Sequence, residues 1–412
     1  MPAFNQEDWS CDAQEAFTVT LINPKTASPS VDPFPPAFTH PIYENEAIYG
    51  YKDLEIQLSF AADSMEPLLE VSWTEQAPKV EEVEADAVIE PLENFLPETV
   101  SRDPDQFFQD LKSRTEAFTP PGALQKTFKR GSKTYEIWLS SVQDERCATL
   151  LRNIQILAIL YIDGASTIEV DDEEWSNKRW EAFFLYEKHS DESYSFIGYS
   201  ALYHYYFFSK ESYEMSRVRL SQFLILPPFQ RQGLGSTFYD TIMNHYYASN
   251  DVKEITVEDP NQEFDNLRDC RDMVKWETIP AFSKITLQDV VSKKVSLKDL
   301  RALAKMPERH FNRLIEIMLL KSLNAKDKKQ YKQYRLFVKR RIFLQSQDVL
   351  LQLDRVERVD KLHETYLHVE DDHKRLLQLM KTSSVEVEES GEGKRKVMDA
   401  VERPSKRART SE

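Results

Sequence analysis

Arg217-Val218-Arg219-Leu220-Ser221-Gln222-Phe223-Leu224-Ile225-Leu226, then Pro227-Pro228-Phe229, then Gln230-Arg231-Gln232-Gly233-Leu234-Gly235 is the stretch on which the fold turns. The apolar run reads as a strand, two prolines stop it, and a pair of glycines opens a helix. Leu234, Phe238, Ile242 and Tyr246 recur every four residues and give that helix one apolar stripe. A helix N-terminus reached through such a turn offers unpaired backbone N–H groups and a partial positive charge, which together bind phosphate. Gly233 and Gly235 let the backbone approach a ligand, and Arg231 can add a charge-assisted contact. Two other phosphate loops are excluded. Ser236-Thr237 follows Gly235 without the lysine of a P-loop, and Phe238 stands where a dinucleotide fingerprint needs its third glycine.

Upstream of this unit, residues 135–139, 180–187 and 195–208 read as strands, residues 148–161 as an apolar helix and residues 209–215 as a polar turn. Downstream, residues 254–257 form a short β-branched strand that Pro260 stops. The order is an antiparallel meander leading into a strand–loop–helix–strand unit. Ahead of it lie Pro-rich loops, an alternating strand at 54–60, an acidic run at 80–98 and the junction Pro120-Pro121-Gly122. Past Pro280 the pattern turns helical, with Ser296 as a cap, an amphipathic helix at 308–323 and a long charged one at 328–378. The predicted class is α+β. A mixed N-terminal domain occupies residues 1–134 and a core with a central, mostly antiparallel sheet 135–275. A helical domain follows at 276–382, and a disordered tail at 383–412.

The 412 residues are 41% hydrophobic and 30% charged, and the net charge is −16. That balance disfavours direct nucleic-acid binding and favours a basic partner, although solubility alone also accounts for it. No apolar run approaches the roughly 20 residues of a membrane helix, and no secretory signal is expected. Three widely spaced cysteines, Cys11, Cys147 and Cys270, fit free thiols, and no metal site is expected.

The loop pattern Gln/Arg-x-x-Gly-x-Gly/Ala resembles the acetyl-CoA signature of the GNAT acyltransferase superfamily. The longer stretch from Ser221 through Gly235 is similar to the cofactor segment of the type B histone acetyltransferase catalytic subunits. So are Ile168-Glu169-Val170-Asp171-Asp172-Glu173-Glu174-Trp175, Gly198-Tyr199 leading into Tyr203-His204-Tyr205-Tyr206, Glu258-Asp259-Pro260 with Leu267-Arg268-Asp269, and Tyr49-Gly50-Tyr51-Lys52-Asp53-Leu54. The resemblance runs from about residue 40 to about residue 345.

It implies a GNAT core that uses acetyl-CoA. Phe223, Leu224 and Ile225 would meet the pantetheine arm. Gln230, Arg231, Gln232, Gly233, Leu234, Gly235 and Ser236 would hold the pyrophosphate, and Asn261 would touch the cofactor. It implies contacts with the tail of histone H4 at Glu44, Asn45 and Glu46 and at Tyr203, His204 and Tyr205, with Asp171 to Glu174 extending the acidic surface. It also implies histone H3 in complex with H4, and a WD-repeat histone-binding subunit. The basic clusters Lys394-Arg395-Lys396 and Lys406-Arg407-Ala408-Arg409 resemble a bipartite import signal, hence an expected location in cytoplasm and nucleus.

A lysine amine with a pKa of about 10.4 must lose a proton before it attacks a thioester. Glu258, just past the strand at 254–257, is the candidate base, the role the resemblance also gives it, and partial burial there would suit it. Asp259 and Asp163 could share the proton. Cys270, in a polar run without a nearby histidine in sequence, reads as structural, which points to direct transfer, with a backbone N–H near Ile225 as oxyanion donor. Other readings of the same residues are a GNAT enzyme for another protein or a small amine, and an inactive histone-binding scaffold. The aromatics at 203–208 also fit a buried strand face, His204 a satisfied polar side chain, and the basic run at 328–341 an exposed helical face.

Overall fold

The computed structural model describes residues 9–79, 84–114, 117–171, 179–208, 215–324 and 326–401, with side chains as far as residue 381. The chain divides into two compact units, Met1–Asp259 and Pro260–Glu412.

In the first unit, a four-stranded sheet carries the N-terminal part. Its central strands, Phe17–Asn23 and Glu55–Ala61, run parallel, flanked by Ser28–Pro29 and Pro67–Ser72. Alternation puts Ile56, Leu58 and Phe60 in the core while Glu55 and Gln57 face out. The helix Pro104–Ser113 covers one side. Asp103 caps its first N–H groups, Pro104 sits where no N–H is needed, and Phe107 and Leu111 pack on Ile22, Ala61 and Leu68.

The second sheet has six strands in the spatial order Val252–Val257, Ser216–Ile225, Tyr194–Tyr206, Trp180–Lys188, Lys133–Ser141 and Ala123–Arg130. Every pairing is antiparallel except that of Ser216–Ile225 with Val252–Val257, which the helix Leu234–Ala248 makes possible as a crossover. The hairpin partner Ala123–Arg130 belongs to this sheet, so the sheet starts ahead of the expected boundary at residue 134. The helix Glu145–Tyr161, capped by Asp144, buries Leu150, Leu151, Ile154, Ile156, Leu157, Ile159 and Leu160, and so is apolar nearly all round. Such a helix is stable only inside the fold, where each of these side chains contributes about 1.5–3 kcal/mol. A charge placed at Ile154, which has no exposed surface, would break that packing.

The second unit is helical. Gln262–Glu277 falls in it, so the division lies at Asp259/Pro260 where the sequence suggested 275/276. Ser296 caps Leu297–Ala304 as expected, accepting from the Asp299 N–H. The predicted single helix over 328–378 is two, Lys328–Gln345 and Arg355–Val401, separated by a short turn of helix, Gln347–Leu350. The last helix runs into the stretch expected as a tail. Trp276 stacks on Phe282 with ring centroids 4.3 Å apart and also meets Phe311. Polar groups are buried here in pairs. His310 stands beside Asp269 and Asp272, Arg313 binds Asp269 and Asp372, and Arg341 clasps both oxygens of Glu316 at 2.5 and 2.8 Å. No described helix is long and apolar enough to cross a membrane.

Candidate active site

The strand Ser216–Ile225 is paired along its whole length on one side and along only half of it on the other. Tyr194–Tyr206 follows it from Ser216 to Ile225, with a bulge near Ser221. The parallel neighbour stops at the pair Leu220↔Val257, and the Glu258 N–H makes the last bond, to the Leu220 carbonyl. Beyond it residues 221–225 have no strand on that edge.

Strand alternation then decides what faces the opening. Leu226 donates to Ile197 on the paired side, so the N–H and C=O of Ile225 point to the open side. The Ile225 carbonyl accepts from the Gln230 side chain at 2.8 Å, which leaves the Ile225 N–H as a donor lining the gap. The sequence suggested a backbone donor at this residue, and the divergence of the strands is what exposes it. Gly198, opposite Ile225, is needed for close approach. A Cβ there would lie 2.2 Å from the Leu224 carbonyl oxygen.

The loop comes directly after this strand. Phe229 is buried in a short 3-10 turn, Pro227–Phe229, and anchors it. Gln230 and Gln232 commit their side chains to the carbonyls of Ile225 and Pro228, so what they present outward is backbone. Arg231 and Gly233 take left-handed φ values of 58° and 73°, which turn the chain into the helix. No side chain caps that helix and no acidic residue lies in its first turn. Among the described residues, the N–H groups of residues 231–236 have no acceptor. Leu234 buries its side chain, so it too can offer only its N–H.

Sequence reasoning missed one cation here. Arg130, at the end of the hairpin strand Ala123–Arg130, bonds Thr237 at 3.1 Å and lies 3.4 Å from where a Gly233 Cβ would be. It is 107 residues from Thr237 in sequence, so no local pattern could have marked it. An uncapped helix start, its unpaired N–H groups and two arginines beside a position without a side chain fit the diphosphate of an acyl-CoA.

Glu258 emerges where the two parallel strands part. Its side chain is 39% exposed, so it is partly buried, as expected, at the point where the neighbouring strands diverge. Its Oε1 is held by Arg219 at 2.9 Å. Asp259 comes next, with a φ of 29°, and turns the chain away.

Of the six residues expected to contact a peptide, the three on the strand Tyr194–Tyr206 do not share one face. Tyr203 and Tyr205 share a face with Trp180, Arg217 and Arg219, with ring centroids 4.9 Å apart for Trp180–Tyr203 and 4.7 Å for Tyr203–Tyr205. His204, between them, points to the opposite face, where Glu181 holds it at 2.9 Å and also accepts from Tyr246. Burial alone would raise the Glu181 carboxyl, but the hydrogen bonds from His204 and Tyr246 outweigh it and hold it below the usual carboxylate range. His204 is thus a satisfied polar side chain. Glu44, Asn45 and Glu46 are exposed on a loop. His40 stands between Glu46 at 3.8 Å and Asp163 at 3.9 Å, so Asp163 is drawn to that loop. The segment after Asp163 is tied to the strand Ser216–Ile225 by Gln222, which donates to the Ser166 carbonyl at 2.8 Å. Asp171 pairs with Arg152, whereas Asp172, Glu173 and Glu174 lie outside the described residues, as do Lys406, Arg407 and Arg409. Asn261 belongs to the second unit, where its side chain caps the helix Gln262–Glu277.

None of the three cysteines is poised as a nucleophile. Burial pushes the Cys270 thiol up to about 11 and the Cys147 thiol up to about 12, and it raises Cys11 as well.

A family model described as the N-terminus of the histone acetyl transferase HAT1 matches residues 9–163. The histone acetyltransferase type B catalytic subunit of Candida albicans is 33% identical, over 91% of this chain and 91% of its own. That of Aspergillus oryzae is 31% identical over 94% and 90%. Among solved structures, an aminoglycoside acetyltransferase from an uncultured soil sample, in complex with sisomicin, covers 33% of this chain and 83% of its own at 16% identity. Its TM-score is 0.24, too slight a likeness to carry an argument about mechanism. With relatives matched along nearly their whole length, the chain belongs to the family of histone acetyltransferase type B catalytic subunits.

Proposed function

We propose that this histone acetyltransferase moves acetyl from acetyl-CoA to lysine ε-amines in the N-terminal tail of newly synthesised histone H4, by direct attack with Glu258 as general base. The observation that carries this reading is the parting of two parallel strands, with the Ile225 N–H on one lip and the Glu258 carboxylate on the other. Acetyl-CoA, when bound, supplies an acetyl group activated as a thioester. The N–H groups of residues 231–236 hold its diphosphate, and the open edge at 223–225 takes its arm. Glu258 accepts the proton that the lysine ammonium must lose. The lysine nitrogen then bonds to the acyl carbon as the C–S bond breaks, and the second proton that this nitrogen must lose leaves on the sulfur. The Ile225 N–H donates to the acyl oxygen as charge develops there, a contribution worth about 10²–10³ in rate in comparable sites.

Tyr203 and Tyr205 offer aromatic walls to the extended tail, and Glu44 and Glu46 offer carboxylates to its basic residues. The net charge of −16 suits such an acceptor. The same reading includes histone H3 alongside H4, a WD-repeat histone-binding subunit, and residence in cytoplasm and nucleus.

The deciding experiment gives the purified chain acetyl-CoA with H4-tail, H3-tail and small-amine acceptors, beside Glu258→Gln. Turnover on the H4 tail that falls about 10²–10⁴-fold in the variant supports the reading. Turnover confined to small amines sinks the histone acceptor, and cofactor binding without turnover leaves a scaffold.

A further inference from the structure

Glu258 stands at the end of a strand with 39% of its side chain exposed, and Arg219 is the cation that pairs with it among the described residues. A general base has to be held in place, since a displacement of about 1 Å can cost about 10² in rate. We propose that Arg219 is the positioning residue of this base, a proposal that rests on the reading of Glu258 given above.

Arg219 lies opposite Thr256 in the parallel ladder, not opposite an acidic residue. Its side chain reaches forward, past the last paired residues, to hold Glu258 Oε1 at 2.9 Å. The guanidinium is itself fixed from two other directions. Its Nε donates to Ser221 Oγ at 3.1 Å, and its Cζ lies over the Tyr205 ring, 5.1 Å from the centroid. Ser221 is at the bulge and Tyr205 is on the next strand, so the arginine takes its bearings from the elements that shape the opening. With Oε1 engaged, Oε2 has no partner among the described residues and is the oxygen left to take a proton.

The molecule carries its own control. Arg217, two residues earlier on the same face, makes the same kind of bond to Glu254 at 2.7 Å and lies near the Phe207 ring. Glu254 is its direct register partner within the closed part of the ladder. One arginine fastens the paired half of the strand and the other reaches into the open half. An ion pair as exposed as Arg219–Glu258 adds little to stability, so its removal leaves a folded protein.

The test compares the full chain with Arg219→Ala, Arg219→Lys, Arg217→Ala, Glu258→Gln and the double variant Arg219→Ala/Glu258→Gln, using acetyl-CoA and an H4-tail peptide. Arg219→Ala is expected to lower kcat about 10–100-fold with little change in either KM, and Arg219→Lys to recover part of the loss. Arg217→Ala should stay within about threefold of the parent. The double variant should be no slower than Glu258→Gln alone, because a residue acting through Glu258 has nothing left to act on. The proposal is overturned if Arg219→Ala turns over normally, if the two losses multiply, or if Arg217→Ala is equally impaired. Should Glu258→Gln keep full turnover, the base itself is misassigned and the proposal falls with it. A slow Glu258→Gln beside a normal Arg219→Ala removes the positioning role alone.

Discussion

At Ile225 and in residues 231–236 of the first unit, backbone donors are left without partners among the described residues; in the helical second unit, charged side chains are buried against theirs. The difference separates two uses of polar groups. An uncapped helix start and an unpaired strand edge cost little while water solvates them, and they are available to a ligand. Asp269, Glu316 and His310 are almost wholly buried against Arg313, Arg341 and Asp272, and even the atoms left without a hydrogen bond, Asp269 Oδ1 and His310 Nδ1, are sealed from solvent, so these groups serve the fold. Substitutions in the first region should therefore change rates and affinities, and those in the second should change stability.

The largest expected effect is the loss of turnover in Glu258→Gln, about 10²–10⁴-fold, with an unchanged melting temperature. A matching fall in stability would erase the distinction between the regions. Next is Arg341→Met. It leaves the Glu316 carboxylate, 1% exposed, without its bidentate partner, and should cost about 3–5 kcal/mol in chemical denaturation while acetyl-CoA affinity stays the same.

Gly233→Asp should raise the dissociation constant for acetyl-CoA about 10–100-fold by calorimetry. Aspartate tolerates the left-handed backbone at this position, caps helices well and would face Arg130, so the fold survives while the diphosphate meets a carboxylate. Unchanged affinity would contradict the assignment of the loop.

Acid should act on the second unit. Burial, reinforced by Arg268, pushes the His310 imidazole down to about 3, and burial with Arg313 does the same for His373. Asp269, Asp272 and Asp265 around His310 oppose the shift without cancelling it. Both imidazoles then take up protons more readily unfolded, near the ordinary 6.5, than folded. Their contribution is complete above pH 6.5 and shrinks as the pH falls toward 3, by about 2 kcal/mol each at pH 5. Amide exchange along the helix Glu308–Ser322, corrected for its intrinsic pH dependence, measures this.

The smallest expected effect separates neighbours on one strand. Tyr205→Leu should raise KM for the peptide a few-fold, about 1 kcal/mol, whereas His204→Gln should leave that KM alone.

The loop and its strand were legible because all their signals are local. Prolines, glycines and the four-residue stripe lie within thirty residues of one another. The failures came where the third dimension intervenes. Three consecutive residues on a strand cannot share a face, so Tyr203-His204-Tyr205 could not form one contact surface. The Arg219 partner of Glu258 could not be read because the sequence does not say where two strands part. The basic run at 328–341 reads as a solvated face, and Lys328, Lys329 and Lys332 are exposed, yet Tyr334 and Val338 are core and Arg341 is committed to Glu316. Its partners lie on other helices, where periodicity cannot see them.

Gly198 lies outside the loop, yet it backs the strand that bears Ile225. Even one methyl group there would meet the Leu224 carbonyl oxygen and the Ile225 Cα at 2.2 and 3.0 Å, both of them backbone. Backbone yields only by moving as a whole, so alanine at this position would act as a wedge driven in from behind, narrowing the slot without touching anything in it. The clearance of that slot is set, from the far side, by a single hydrogen atom.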